Sequence, residues 1–275
     1  MKVLVTGAKG QLGYDVLRVL EEKKINHLGI DLGDCDITKR EDVDKIFNEY
    51  KPSVVIHCAA YTAVDKAEDD KEVCYNVNVN GTRNLVDASK KIKADFLYIS
   101  TDYVFNGKGT IPFKVTDKPE PINYYGVTKY LGEEIVKEIV NSYIVRISWV
   151  FGVNGNNFIK TVLKLAETKN ELSVVSDQIG SPTYTYDLAY ALIDLISKKQ
   201  YGIHHITNKG YISWYEFAKE IFKQANRGIK VNKVLTKDYK TKAIRPLNSR
   251  MVKTIELRDY KDSINHYLEE IKDHA

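Results

Sequence analysis

The stretch MKVLVTGAKGQLGYDVLRVL, residues 1–20, decides the fold. Residues 3–6 are a short apolar run rich in valine, and an apolar pattern with the spacing of one helix face follows residue 13. Between the two runs lie three glycines at a spacing of three: Gly7, Gly10 and Gly13. Glycine in this place allows a tight turn and a close approach of the backbone to a pyrophosphate. The stretch therefore predicts a strand, a phosphate-binding turn and a helix.

The same alternation continues along the first 150 residues. The sequence predicts strands at 27–31, 54–59, 96–100 and 143–150, and helices at 41–50, 73–91 and 125–140. Strands that alternate with helices form right-handed βαβ units and a parallel sheet covered on both faces. We therefore predict an α/β fold with a Rossmann-type, doubly wound parallel sheet over residues 1–150.

Beyond residue 150 the pattern loosens. Turn residues occupy 154–157 and 180–183, and Ser213 with Glu216 predicts a capping box at the start of a later helix. We expect residues 151–275 to form a smaller C-terminal substrate-binding lobe over the carboxyl ends of the strands, with part of 183–206 returning to the Rossmann domain. Ligands of open α/β sheets bind in that crevice.

The composition is typical of a globular protein. Of the 275 residues, 43% are hydrophobic and 28% charged, and the net charge of +4 is spread without a block of like charge. No apolar run approaches the ~20 residues that a membrane span needs. Three cysteines stand singly, a pattern that predicts neither a disulfide framework nor a metal site. We expect a cytoplasmic protein without a membrane, nucleic-acid or metal partner.

Acidic residues follow the second predicted strand. Asp31 ends it, where a carboxylate would accept hydrogen bonds from the adenosine ribose and favour NAD. Lys9, in the glycine turn, could offset the repulsion of a 2′-phosphate and admit NADP, so the sequence leaves both NADPH and NADH open. Asp36, followed by Ile37, could reach the adenine amino group or cap the following segment, two equally good interpretations.

A tyrosine and a lysine occupy one face of the helix predicted from residue 125. Tyr125 and Lys129 stand at i and i+4, a single turn apart. A neighbouring cation stabilises a phenolate and would bring the pKa of Tyr125 toward neutrality. A carbonyl reductase needs such a group, because the alkoxide that hydride addition creates must take a proton. Thr101, at the carboxyl end of the preceding strand, could hydrogen-bond the same oxygen.

With these residues the chain resembles an extended short-chain dehydrogenase/reductase and, more narrowly, the family of dTDP-4-dehydrorhamnose reductases. The likeness runs along nearly the whole chain. It is carried by GAKGQLG at 7–13, CAAYTAVDKAE at 58–68, STDYVFNG at 100–107, YYGVTK at 124–129, RISWVFG at 146–152, GNNF at 155–158, DQIGSPT at 177–183 and RPLNSR at 245–250.

The resemblance implies reduction of the 4-keto group of a dTDP-6-deoxy-4-hexulose by NADPH or NADH, the last step to dTDP-L-rhamnose. It implies three catalytic residues, Thr101, Tyr125 and Lys129. It assigns to the cofactor Gly7, Gly10, Gln11, Leu12, Gly13, Asp31, Asp36, Ile37, Ala59, Ala60, Tyr61, Thr62, Tyr125 and Lys129. It assigns to the dTDP-sugar Thr101, Asp102, Trp149, Asn157, Gln178 and Arg250. For the last three, a solvated loop side chain is an equally good interpretation. A homodimer would suit such enzymes, although the sequence shows no interface signature.

Two other functions compete with this one. A nucleotide-sugar dehydratase or epimerase would share the fold, the cofactor and the Tyr-Lys pair. Dehydratases of this kind carry an Asp-Glu pair after the strand-end threonine, whereas Tyr103 follows Thr101 and Asp102 here. A non-catalytic regulatory subunit is the second competitor, and the intact Thr101, Tyr125 and Lys129 argue against it.

Overall fold

A seven-stranded parallel sheet forms the centre of the protein, in a computed structural model that describes residues 1–273. The strands lie in the order β13-β10-β5-β4-β3-β1-β2. Their bounds are β1 Lys2–Thr6, β2 Asn26–Ile30, β3 Val54–His57, β4 Asp95–Thr101, β5 Ser142–Ile147, β10 Gly202–Lys209 and β13 Ile255–Asp259. The direction of winding reverses between β1 and β3, which is where open α/β sheets bind ligands. The predicted Rossmann-type fold class is confirmed.

Helices cover both faces of this sheet. They are α1 Gln11–Glu22, α2 Arg40–Tyr50, α3 Lys71–Tyr75, α4 Thr82–Ile92, α5 Tyr124–Val136 and α7 Thr185–Ser197. On one face α1 and α7 pack together over the apolar side chains of β1, β3 and β5. On the other face α2, α4 and α5 enclose a second buried cluster. The strands are apolar on both faces, as buried parallel strands are.

The smaller lobe is built from the second half of the chain. Its helices are α6 Phe158–Leu165, α8 Trp214–Gln224 and α9 Tyr260–Asp273, and its strands are β6 Val150–Phe151, β7 Glu171–Val175, β8 Ile179–Gly180, β9 Thr183–Tyr184, β11 Ile212–Ser213 and β12 Lys230–Val234. A third apolar cluster joins these helices to β7 and β9. Ser213 caps α8 in the predicted capping box with Glu216.

Several element bounds differ from those the sequence predicted. The long helix expected at 73–91 is divided into α3, a π-helical segment at Asn76–Gly81, and α4. Helix α5 ends at Val136, four residues earlier than expected, and β5 ends at Ile147. The central sheet also takes both β10 and β13 from the second half of the chain, because their apolar side chains complete its cores.

Within residues 1–273, no helix combines the length and the apolar character that crossing a lipid bilayer requires.

Candidate active site

The glycine turn closes tightly between β1 and α1. Gly7 has a φ of +68°, and a Cβ on it would lie 2.7 Å from the backbone nitrogen of Ala59. A Cβ on Gly13 would lie 2.1 Å from the carbonyl oxygen of Gly7. Gly10 is the N-cap of α1, so no side chain caps this helix. The first turn of α1 therefore presents its N–H groups and positive dipole to the cleft above it.

Acidic side chains at the end of β2 are held by the backbone. Asp31 accepts hydrogen bonds from the N–H of Lys9 at 2.8 Å and of Leu32 at 2.9 Å. Asp36 accepts from the N–H of Thr38 at 3.0 Å and from its hydroxyl at 2.7 Å, and these bonds hold the pKa of Asp36 below its usual range. Asp36 thus organises the local turn as well as lining the cleft.

One cleft of about 720 Å³ runs across the carboxyl ends of the strands. It brings together the residues predicted to bind the cofactor or perform catalysis, and three of the six predicted for the sugar. The predicted residues that line it are Gly7, Gly10, Gln11, Leu12, Gly13, Asp31, Asp36, Ile37, Ala59, Ala60, Tyr61, Thr62, Thr101, Asp102, Tyr125, Lys129 and Trp149. Residues from seven separate stretches of sequence meet there because parallel strands end at the same edge of a sheet.

Thr101 and Asp102 lie where β4 ends. The Thr101 hydroxyl donates to Oδ1 of Asp102 at 3.0 Å and accepts from the N–H of Tyr103 at 3.1 Å. Within residues 1–273, Oδ2 of Asp102 is buried without a hydrogen-bond partner. Burial raises the pKa of Asp102 to about 6, since a desolvated carboxylate is costly. One oxygen of this carboxyl group is therefore bound by Thr101, and the other can take a further hydrogen bond.

Tyr125 and Lys129 lie on the first turns of α5, which the side chain of Asn123 caps through the N–H of Gly126 at 2.8 Å. Burial, and next the charge of Asp102, raise the pKa of Tyr125. Burial lowers the pKa of Lys129 to about 7, against the opposing carboxylate of Glu133. The sequence predicted that Lys129 would lower the pKa of Tyr125. In the structure the pKa is raised instead, because the loss of water around the buried phenol has the larger effect.

Trp149 forms one wall of the cleft in a strained conformation. Its φ is +49°, a backbone conformation that residues with bulky side chains rarely adopt. Residues in such conformations are frequent at functional sites. Its ring stacks on Trp214 with centroids 3.8 Å apart, and a Cβ on Gly180 would lie 2.8 Å from it. Trp214 also lines the cleft, and sequence reasoning missed it. Its only signal was its place directly after the cap of a predicted helix.

The three remaining sugar-site predictions fall elsewhere. Asn157 is the N-cap of α6, where its Oδ1 accepts from Lys160, and its Nδ2 donates to Gly152 and Gln11. Gln178 donates to the hydroxyl of Thr236 at 3.1 Å, and Arg250 donates to Asn248 at 3.0 Å. Among residues 1–273 these three side chains are absent from the cleft lining. They hold helix and loop conformations, and Asn157 reaches the cleft only through Gln11.

A different arginine, Arg245, lies beside the residues predicted to be catalytic. Arg245 donates to the hydroxyl of Tyr103 at 3.0 Å and pairs with Asp65 at 2.5 Å. The Tyr103 ring meets that of Tyr125 edge-on, with centroids 5.8 Å apart. The loop of the small lobe is thus joined to Tyr125 through Tyr103. The sequence contained Arg245 in a matched segment but gave no sign of its partners.

Asn78 is a second residue that sequence reasoning missed. It projects from the π-helical segment, a feature that is frequent at functional sites. Its amide oxygen accepts from the N–H of Tyr61 at 2.8 Å, and its amide nitrogen donates to the Thr128 hydroxyl at 3.0 Å. Asn78 therefore fixes the loop after β3 against α5.

Comparisons with known proteins agree with this geometry. The family model of the RmlD substrate binding domain matches residues 1–275. The chain is 42% identical to the spore coat polysaccharide biosynthesis protein SpsK of Bacillus subtilis, over 98% of this chain and 97% of that protein. It is 41% identical to a dTDP-4-dehydrorhamnose reductase of Aggregatibacter actinomycetemcomitans, over 90% of this chain and 89% of that protein.

A solved structure extends the comparison to the fold. The dTDP-4-dehydrorhamnose reductase of Bacillus anthracis, in complex with NADP, is 40% identical to the chain. It superimposes with a TM-score of 0.95, covering 98% of this chain and 99% of that one.

Proposed function

The chain belongs to the family of dTDP-4-dehydrorhamnose reductases, and we propose that Tyr125, Lys129 and Thr101 are the residues with which it reduces its sugar nucleotide. The reaction is reduction of the 4-keto group of a dTDP-6-deoxy-4-hexulose to dTDP-L-rhamnose with NADPH or NADH. One observation carries the assignment of residues: all three side chains line the same cleft as the glycine turn and Trp149.

The cleft fits a dinucleotide at both of its ends. The first turn of α1 opens onto it without a side-chain cap, and the lack of room for a Cβ at Gly7 and Gly13 keeps the turn close-packed. Asp31 stands at the adenosine end, at the distance along the sequence that the fold requires. NADPH or NADH bound there supplies the hydride for the sugar carbon.

Tyr125 is the proton donor in this proposal. Its raised pKa keeps the phenol protonated at neutral pH, which is the form that can give a proton to the 4-oxygen as negative charge develops. Tyr103, held by Arg245, fixes the ring from the side. Lys129, one helical turn after Tyr125, lines the same cleft, and its ammonium is the group that would hold the nicotinamide ribose.

Thr101 and Asp102 face the sugar. The Thr101 hydroxyl donates a hydrogen bond to Asp102 in this structure. With the sugar bound, it can rotate to donate to the 4-oxygen and polarise the carbonyl. The unpartnered Oδ2 of Asp102 is suited to a sugar hydroxyl, since a buried polar atom gains most from a new hydrogen bond. The stacked rings of Trp149 and Trp214 offer an apolar surface to the deoxysugar.

The two lobes have different binding roles in this proposal. Residues 1–150 bind the cofactor and also present Thr101, Asp102 and Trp149 to the sugar. The lobe that begins at residue 151 completes the sugar site with Trp214, apart from α7, β10 and β13, which complete the central sheet. A homodimer belongs to the same proposal and is tested by sedimentation of the purified protein.

Dehydration or epimerisation is the nearest competing activity. Tyr103 occupies the place of the second acid of a dehydratase, and its hydroxyl accepts a hydrogen bond from Arg245. A phenol in that arrangement does not replace a carboxylic acid that expels water.

The decisive experiment is an assay of NADPH and NADH oxidation with a panel of 4-keto sugar nucleotides, with products identified by NMR. We expect stoichiometric oxidation with the dTDP-6-deoxy-4-hexulose and a 4-hydroxyl product. Product formation without net cofactor oxidation would support an epimerase or dehydratase. No turnover, with binding of a catalytic partner, would support a regulatory subunit.

A further inference from the structure

The side chain of Tyr98 lies against Lys129 at both ends of that residue. Lys129 Nζ is 4.0 Å from the centroid of the Tyr98 ring, and the Tyr98 hydroxyl donates to the backbone carbonyl of Lys129 at 3.3 Å. Tyr98 is fully buried in β4. A single side chain therefore contacts both the ammonium and the backbone of the lysine.

The surrounding residues fix the Tyr98 ring in this place. Gly132, in the turn of α5 after Lys129, leaves space for the Tyr98 hydroxyl. A Cβ at this position would lie only 2.2 Å from the hydroxyl oxygen. The ring of His57 lies against it with centroids 5.6 Å apart. The ring can neither withdraw from the ammonium nor rotate freely, since the interior of the sheet is close-packed around it.

The titratable groups that face Lys129 from neighbouring elements are neutral. Burial lowers the pKa of His57, at the end of β3, to about 3. Burial raises the pKa of Cys58 to about 12, and the pKa of Cys74, on α3, is also raised. None of these three groups carries a charge near pH 7 that could stabilise the ammonium.

On α5 itself, the groups beside Lys129 are Tyr125 and Glu133. Tyr125 stays protonated, as its raised pKa shows. Glu133 is fully buried and is held by Arg146, which donates to its two carboxylate oxygens at 2.8 and 2.7 Å. Ser100 donates to the same carboxylate at 2.6 Å. Arg146 therefore neutralises much of the charge that Glu133 could offer to Lys129.

We propose that Tyr98 is a positioning residue that keeps the Lys129 ammonium charged and directed into the cleft, through the face of its aromatic ring. The inference rests on the proposed function, in which the ammonium holds the nicotinamide ribose. The face of an aromatic ring carries negative charge density and attracts a cation, most strongly when both are shielded from water. Burial works against the charged form of Lys129, so this contact opposes the burial penalty.

The test is the pH dependence of NADH affinity, measured by fluorescence of the bound cofactor without sugar substrate. Affinity should fall as the pH rises through the pKa of Lys129, because the neutral amine holds the ribose less well. In Tyr98→Leu, which lacks the ring, the midpoint of this fall should move down by about one pH unit, a roughly tenfold weaker hold on the proton. In Tyr98→Phe, which keeps the ring face and loses the hydroxyl, the midpoint should stay close to that of the unsubstituted protein.

A matched control separates this effect from the loss of a buried tyrosine in general. Tyr143, in β5, is also fully buried and does not line the cleft. Tyr143→Leu should leave the midpoint in place. If Tyr98→Leu does not fold, phenylalanines of increasing fluorination at position 98 give a nearly isosteric series. Each fluorine weakens the ring face, so the midpoint should fall stepwise along that series.

The outcomes distinguish this inference from the proposed function. Equal shifts in Tyr98→Leu and Tyr98→Phe, no shift in either, or a fluorinated series without a trend would overturn the role of the ring. These results would leave the reductase assignment intact. If NADH does not bind, the same titrations are made with NADPH, and absence of binding of both cofactors to the unsubstituted protein would overturn both. NADH binding with the expected shifts, but no reduction of any 4-keto sugar, would support the positioning role and count against the substrate alone.

Discussion

The backbone N–H of Lys9 donates a hydrogen bond of 2.8 Å to Oδ2 of Asp31, and so joins the glycine turn to the end of β2. The other oxygen, Oδ1, accepts from the N–H of Leu32 at 2.9 Å. The carboxylate that we propose to bind the adenosine ribose therefore also holds the turn in shape. The Lys9 side chain remains available on the same side of the cleft.

We expect cofactor choice to depend on these two residues. Asp31→Ala should weaken NADH binding about tenfold, because the ribose hydroxyls lose an acceptor, while NADPH binding holds or improves as the repulsion of its phosphate disappears. Lys9→Ala should have the opposite effect on the NADPH-to-NADH affinity ratio. Both dissociation constants should be measured for both variants. Asp31→Asn is the control, since its amide oxygen can still accept from Lys9. A ratio that moves the same way in both alanine variants would contradict this account.

Tyr125→Phe tests the proton donor. We expect turnover to fall by ~100-fold or more and cofactor affinity to stay nearly unchanged, because the hydroxyl acts on the developing alkoxide in the transition state. Single-turnover kinetics together with NADH titration measure both quantities. Turnover close to that of the unsubstituted enzyme would remove Tyr125 from the mechanism.

Lys129→Met should lower both turnover and cofactor affinity. The ammonium is proposed to act on the nicotinamide ribose as well as on Tyr125, so its loss affects binding and chemistry together. The same two measurements apply. A loss of turnover alone would show that the lysine does not hold the ribose, and the inference about Tyr98 would then fail as well.

Gly180→Ala tests the wall that Trp149 forms. The added methyl group would lie 2.8 Å from the Trp149 ring and would displace it from its stack on Trp214. We expect the KM for the sugar nucleotide to rise about tenfold, with NADH affinity unchanged, if the tryptophans contact the sugar. Gly228→Ala is the matched control, since a Cβ there meets nothing within 4 Å. Equal effects of the two substitutions would contradict the assignment.

The titration of Asp15 should make the stability of the fold depend on pH. It is fully buried in α1, accepts from the Thr185 hydroxyl, and burial raises its pKa from 3.8 to about 6. The folded state therefore binds this proton more tightly than the unfolded state. The contribution of Asp15 to the free energy of unfolding should be greatest below about pH 4, fall between about pH 4 and 6, and be absent above that range.

Asp15→Asn should remove this contribution, which is roughly 1–3 kcal/mol. Asp102, whose pKa is also raised to about 6, titrates over the same range with the same sign. The buried His57 and His205, whose pKa values burial lowers to about 3, contribute with the opposite sign, so the test compares the slope of the variant with that of the unsubstituted protein. Urea unfolding at a series of pH values from 4 to 8 measures the effect. An unchanged slope in the variant would show that Asp15 does not titrate as described.

Local patterns along the chain were enough to predict the fold class and to select residues that the structure brings into one cleft. Glycine at positions 7, 10 and 13 specifies the turn, because each requirement on φ or on close packing belongs to one backbone position. The i, i+4 spacing of Tyr125 and Lys129 places them on one helix face without knowledge of any other element. Alternation of strand and helix then orders the sheet, and the carboxyl ends of the strands bring these residues to one edge.

Only the tertiary structure decided what surrounds these residues. The contact of Tyr98 with Lys129 and the stack of Trp149 on Trp214 join segments distant in sequence, which no local period encodes. Asn157 caps a helix instead of lining the cleft, a choice set by the direction in which the loop before α6 runs. The pKa of Tyr125 depends on how much water the fold excludes from its phenol, and every residue packed around it contributes to that exclusion. The sequence by itself determined which groups could perform the chemistry, and the folded packing determined their charge, their partners and their access to the cleft.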